Sequence, residues 1–209
     1  MQPNARSALP PRWGEPSPGA LTRLLRRVAA AFGPAPAATG AASLPGLPVA
    51  LRRSAAAVPY LEAESAHDHP RAGAAATEAM QRAVSSGEWW PADIWGHRAL
   101  WHFERAGMEL AATRAARLIG DLRSAAGDPA SARRYYAEAI SEARDIGAER
   151  EEGLAALGMG RGALELGDVT TARRLAQVAV DLLERGGAPA EELDAARELR
   201  GDEKDVSAS

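Results

Sequence analysis

The chain contains no cysteine. That excludes disulfides, thiolate nucleophiles and any zinc centre built on sulfur. Lysine is nearly absent as well, Lys204 standing alone among 25 basic residues. Phenylalanine occurs twice and tyrosine three times, and β-branched residues are few, so strand formers are scarce and helix is the expected state. No apolar run approaches the roughly 20 residues that cross a bilayer. The stretch Leu21 to Phe32 is interrupted by Arg23, Arg26 and Arg27, so it is not a signal-peptide core. The cytoplasm is the expected compartment. There is no nucleophile elbow, no glycine-rich phosphate loop and no His-Glu-x-x-His run. The expectation is a protein that is not an enzyme, with no catalytic residues, no metal and no cofactor.

What is present is alanine and arginine, a bias that fits the codons of a GC-rich bacterial genome. Net charge is −3, but it is divided unevenly. Residues 1–60 hold seven arginines (Arg6, Arg12, Arg23, Arg26, Arg27, Arg52 and Arg53) against one carboxylate, Glu15. A basic, proline-rich head precedes an acidic body. Head and body can neutralise one another, or the charge can serve solubility alone, and either reading outweighs a basic arm reaching for anionic lipid or nucleic acid. Leu21, Leu24, Leu25, Val28 and Phe32 make one apolar helical stripe near 20–32. Three arginines on so short a helix give only marginal membrane affinity without a second anchor. No nucleic acid is expected as partner.

The body repeats. Shifted by 40 residues, Gly127-Asp128 falls on Gly167-Asp168, Ala132-Arg133-Arg134 on Ala172-Arg173-Arg174, and Gly147-Ala148 on Gly187-Ala188. Between 127 and 160 there are 12 identities in 34 positions, where chance gives roughly two or three. Upstream, Gly87-Glu88 takes the place of the Gly-Asp pair and Gly107 that of Gly147. Units are therefore expected at 67–106, 107–146 and 147–186, followed by a charged capping helix at 189–200 and a disordered tail at 201–209. Residues 1–66 read as a basic Pro/Ala-rich extension, with a linker over 33–59. Each unit reads as two helices, the first near 71–86, 108–126 and 150–166 and the second near 90–105, 129–146 and 169–185. Glycine ends each helix and the acidic residue after it can cap the next. Alanine at fixed columns allows antiparallel helices to approach to ~8 Å.

The small column Gly120 and Gly160, with Ala132 and Ala172 twelve residues on and Ala139 and Ala179 seven further, resembles the tetratricopeptide repeat. Tyr136 fills the bulky slot between the alanines of the middle copy, and Gly127-Asp128 fills the inter-helix turn. The first copy carries Met80 in the small column and Gly96 in the bulky slot. The resemblance covers about residues 67–200. It implies an all-α, right-handed solenoid of stacked helix hairpins that binds a peptide or protein segment on its concave face, lined by first helices. Carried onto this chain, that groove presents Thr77, Gln81, Val84, Arg114, Arg117, Asp121, Leu157, Arg161 and Glu165. Arg114, Arg117 and Arg161 could grip a carboxylate or phosphate, or be neutralised by Asp121 and Glu165. The subset that clamps chaperone tails needs groove asparagine and lysine, which this chain lacks.

Trp89, Trp90, Trp95, Trp101 and Phe103 crowd into the second helix of the first unit. Rings of this size are costly to leave wet, so something covers them. Residues 18–61 of the same chain are the favoured cover, and a partner protein the other. His67 and His69 flank Asp68 in a stretch that reads as a solvated turn rather than a metal site, and His97 and His102 do not share a face well. The function these features imply is an adaptor or scaffold holding a protein or peptide. An accessory subunit of a larger enzyme complex and a peptide- or ligand-sensing module of a bacterial regulatory system are the alternatives.

Overall fold

A computed structural model describes residues 47–201. They form α1 (Val49–Arg52), α2 (Ala57–Ser65), α3 (His69–Ser85), α4 (Trp89–Arg105), α5 (Glu109–Ala125), α6 (Pro129–Asp145), α7 (Glu149–Glu165), α8 (Val169–Arg185) and α9 (Ala190–Arg200). Among the described residues there is no strand. From α3 to α8 each helix is 17 residues long and starts 20 residues after the one before.

One turn, used seven times, sets that rhythm. Residues 67, 87, 107, 127, 147, 167 and 187 all have positive φ, between 56° and 80°. In each case the next backbone N–H reaches back to the fifth residue before it, as Glu88 does to Ala83 at 2.8 Å and Ala148 to Ala143 at 2.7 Å. This is the Schellman closure, which needs a left-handed residue and therefore favours glycine. Six of the seven are glycine; the first is His67, at φ 56°. The two glycine columns read from the sequence are thus one column with half the period. The turn inside a hairpin and the turn between hairpins are the same object. Asp68, Asp128 and Asp168 then cap the following helices, accepting from the N–H groups of Arg71, Ser131 and Thr171.

Every consecutive pair of helices packs together from α1 to α9, and α5 also touches α7 as α7 touches α9. The chain is an all-α solenoid of stacked hairpins. The expected alanine columns are its seams: Ala76, Ala92, Ala99, Ala116, Ala132, Ala139, Ala156, Ala172 and Ala179 are all buried. α9 packs on the last hairpin with Ala196 inside and Leu193 and Leu199 half-buried, and its Glu192 and Arg197 pair with Arg150 and Glu184.

The irregular first copy has a steric explanation. In the middle copy Gly120 lies under the ring of Tyr136, where an added Cβ would stand 2.8 Å from Cδ1 and Cε1. In the first copy the volumes are inverted. Met80 occupies the small column, and Gly96 opposite leaves room for its sulfur, which would stand 3.1 Å from a Cβ there. Large on small is preserved and the two partners change places, so local packing density is kept.

One expectation is corrected. The linker foreseen over 33–59 does not extend to its end, because Val49–Arg52 is helical and buries Leu51, and Ala57–Ser65 is helical and buries Ala57, Tyr60 and Ala63. That helix precedes the first unit as another helix of the stack, with His67 as its turn residue. The stripe near 20–32 and the tail from 202 onward lie outside the described residues.

Candidate functional site

The residues expected in the groove divide into two groups. Thr77, Val84, Arg117, Asp121 and Leu157 are buried, so they are interior rather than a contact surface. Gln81, Arg114 and Arg161 are half-buried and Glu165 is exposed. Thr77 hydroxyl donates to its own helix, at the Gly73 carbonyl.

The arginines meet a carboxylate that the sequence reading overlooked. Glu151, near the start of α7 and 3 % exposed, accepts from Arg114 Nε at 2.8 Å and from Arg117 Nε at 3.1 Å, both on α5. Arg117 also donates to Asp121 at 2.9 Å, and Tyr136 hydroxyl donates to the other Asp121 oxygen at 2.7 Å. Burial opposes the charge on Arg117, yet Glu151 and Asp121 raise its pKa above the ordinary value. Burial likewise disfavours charge on Glu151, but Arg117 and Arg114 hold its pKa below the usual range. The cluster is self-satisfied. It fastens α5 to α7 instead of waiting for a ligand. The Tyr136 ring completes the joint, seated between Gly120 and Gly158.

The aromatic cluster is divided too. Trp95 and Phe103 are buried, while Trp89, Trp90 and Trp101 are half-buried. Trp95 meets Tyr60 of α2 edge-on, with centroids 5.1 Å apart, and Phe103 lies over Gly73 of α3. The cover therefore comes in part from residues 18–61, through Tyr60. His69 and His102, from the two separate histidine pairs, are brought together with Nδ1 atoms 2.8 Å apart. His102 Nε2 is 3.1 Å from Tyr60 hydroxyl, which also receives Arg98 at 3.2 Å and donates to Glu64 at 2.9 Å. Burial, then His69 and Arg98, lower the pKa of His102 to about 4. Burial, with Arg105 and His67, lowers that of His69. Both rings are neutral at pH 7, and His69 Nε2 is buried without a hydrogen-bond partner. His69 is thus buried, contrary to the expected solvated turn, with its ring edge-on to Trp101 at 5.3 Å between centroids and against His102. Among the described residues no group of three or more His, Asp or Glu could hold a metal. His97 lies elsewhere, 2.7 Å from Tyr135 hydroxyl on α6.

A third feature had no signal in the sequence reading. Between the end of α4, the start of α5 and the end of α6 opens a cleft of about 310 Å³, lined by Glu104, Gly107, Glu109, Ala112, Thr113, Glu142, Asp145 and Ile146. Burial raises the pKa of Glu104 and Glu142, and both face Glu138 as well. The side chains come from two stretches, 104–113 and 142–146, far apart in the sequence, so only folding assembles them.

No protein-family model matches this chain, and no curated protein is similar to it in sequence. Among the described residues no helix is long and apolar enough to cross a membrane.

Proposed function

We propose that the chain is a non-catalytic scaffold of the tetratricopeptide type, cytoplasmic, which holds a protein or peptide segment along the face of α3, α5 and α7. The observation that carries this reading is the Arg114–Arg117–Glu151 joint. It bolts α5 to α7 with buried charges, so the surface the two helices share is set before any partner arrives. A preformed surface avoids the ordering cost of association. Gln81, Arg114, Arg161 and Glu165 supply its polar contacts. A separate patch on α4, the half-buried Trp89, Trp90 and Trp101, supplies aromatic anchors of the kind that dominate interfaces.

Affinity purification from the native cell, comparing the intact chain with a Gln81→Ala/Arg161→Glu variant of unchanged helicity, tests the groove. Loss of one specific protein from the variant is the expected result. Recovery of the same proteins by both would overturn the groove reading. Arg117→Glu is unsuitable for this purpose, since it strikes the interior.

A further inference from the structure

The acidic cleft shares α5 with that face but none of the residues assigned to it, and it does not depend on the scaffold reading. Among its lining residues Ala112 is buried and Ile146 half-buried, which gives it an apolar floor, while Glu104, Glu109 and Asp145 are exposed at its rim and Glu142 is half-buried. The buried and half-buried carboxylates from α7 onward are matched, as Glu151 is by two arginines, Glu152 by Arg144 at 2.7 Å, and Glu192 by Arg150 at 2.7 Å. Glu104, Glu109, Glu138, Glu142 and Asp145 form no ion pair with any described residue. Arg105, stacked on Trp101 at 5.2 Å, offsets Glu104 only in part. The cleft therefore combines uncompensated negative charge with a hydrocarbon floor. Those are the two things an arginine side chain fits, its stem on the floor and its guanidinium on the carboxylates. At about 310 Å³ it is within the size of sites that enclose a ligand group.

The complementary charge is on the same chain. Residues 1–46 carry five arginines, three of them within Arg23-Leu24-Leu25-Arg26-Arg27, against the single carboxylate Glu15. The described chain begins at Leu47, which is buried, and 20 residues separate it from Arg27. At ~3.3 Å per residue these can span roughly 65 Å, well over the ~25 Å length of one 17-residue helix. Tethering at such range gives an effective concentration on the order of millimolar, enough to make weak charge pairing count. We propose that residues 20–32 of this chain dock in the cleft between α4, α5 and α6, with arginines from Arg23, Arg26 and Arg27 seated among Glu104, Glu109, Glu142 and Asp145. The head is an intramolecular occupant of the body.

The full chain lacks cysteine, so one can be placed at will. A nitroxide on Ala148→Cys, at the turn following Ile146, is read against amide signals of the isotopically labelled chain. Signals of residues 21–28 fall by more than about twofold. They recover when Arg23, Arg26 and Arg27 become glutamine, and also when exposed rim residues are neutralised (Glu104→Gln, Glu109→Gln, Asp145→Asn) or salt approaches 1 M, where charges are screened beyond ~3 Å. Unchanged helical amide signals verify that each variant is folded. Absence of broadening, or broadening that survives the arginine substitutions, overturns the proposal. Broadening that persists at comparable size when spin-labelled and isotope-labelled chains are separate molecules in a mixture overturns the intramolecular assignment in favour of a second copy. No partner protein enters the measurement, so its failure leaves the groove experiment untouched.

Discussion

Two buried polar joints hold neighbouring helices of this solenoid, and they are built on opposite principles. The joint between α5 and α7 uses full charges, Arg117 against Glu151 and Asp121, with every partner supplied. The joint among α2, α3 and α4 centres on neutral rings, His69 and His102 with Tyr60, with the Arg98–Glu64 pair at its edge, and leaves His69 Nε2 without a partner. A charged joint is costly to break from one side only, because the remaining ion is stranded. A neutral histidine joint is vulnerable to a proton instead. The array is therefore expected to be firm in its middle and acid-sensitive at its N-terminal end.

The strongest way to break this comparison is Glu151→Ala. It leaves Arg117 buried with half its neutralising charge gone, and destabilisation of about 3–5 kcal/mol in denaturant unfolding is expected. A change below ~1 kcal/mol would show that the cluster is a surface-like pair. Acid provides the second test. The folded pKa of His102 is about 4 and its unfolded value about 6.5. The unfolded chain thus binds the proton first, and stability is lost as pH falls from about 6.5 towards 4, by up to about 3 kcal/mol. Amide exchange should show α2 and the start of α3 opening in that window before α5 and α7. The pKa of Glu151 is depressed below its ordinary value, so its contribution is lost only at lower pH. Simultaneous opening of all helices would contradict the contrast.

Gly158→Ala probes the middle joint sterically. The new methyl would stand 2.5 Å from Tyr136 Cε1 and Cζ, and moving that ring disturbs its bond to Asp121, for an expected loss of about 1–3 kcal/mol. The smallest effect concerns the N-terminal end alone. His67→Gly places glycine at the one turn of seven that lacks it. Release of a left-handed non-glycine residue should raise stability by up to ~1 kcal/mol, read as an upward shift in Tm. A fall in Tm would mean that the His67 side chain contributes contacts of its own.

Much of the scaffold was legible. Glycine in two aligned columns, aspartate beside it and alanine at fixed offsets gave the hairpins, because turn geometry and close helix approach are demands on single residues. The helix over Ala57–Ser65 was missed since its turn carries His67 where a glycine would have marked it. The groove was half legible. The helix faces were placed well enough to single out Arg114, Arg117 and Asp121, but periodicity cannot tell a wet arginine from one with a buried partner. Glu151 is 34 residues from Arg117 and belongs to no motif.

The sequence by itself determined the period, the helices, their turns and the uneven division of charge between head and body, because these are local or compositional properties. Only the tertiary structure decided which charges are sealed inside and which are left without a counterion. It brought His69 to His102 and Arg117 to Glu151, and it gathered Glu104, Glu109, Glu142 and Asp145 around one cleft. Those outcomes depend on dielectric and distance between residues far apart in the chain, and neither quantity exists until the hairpins stack.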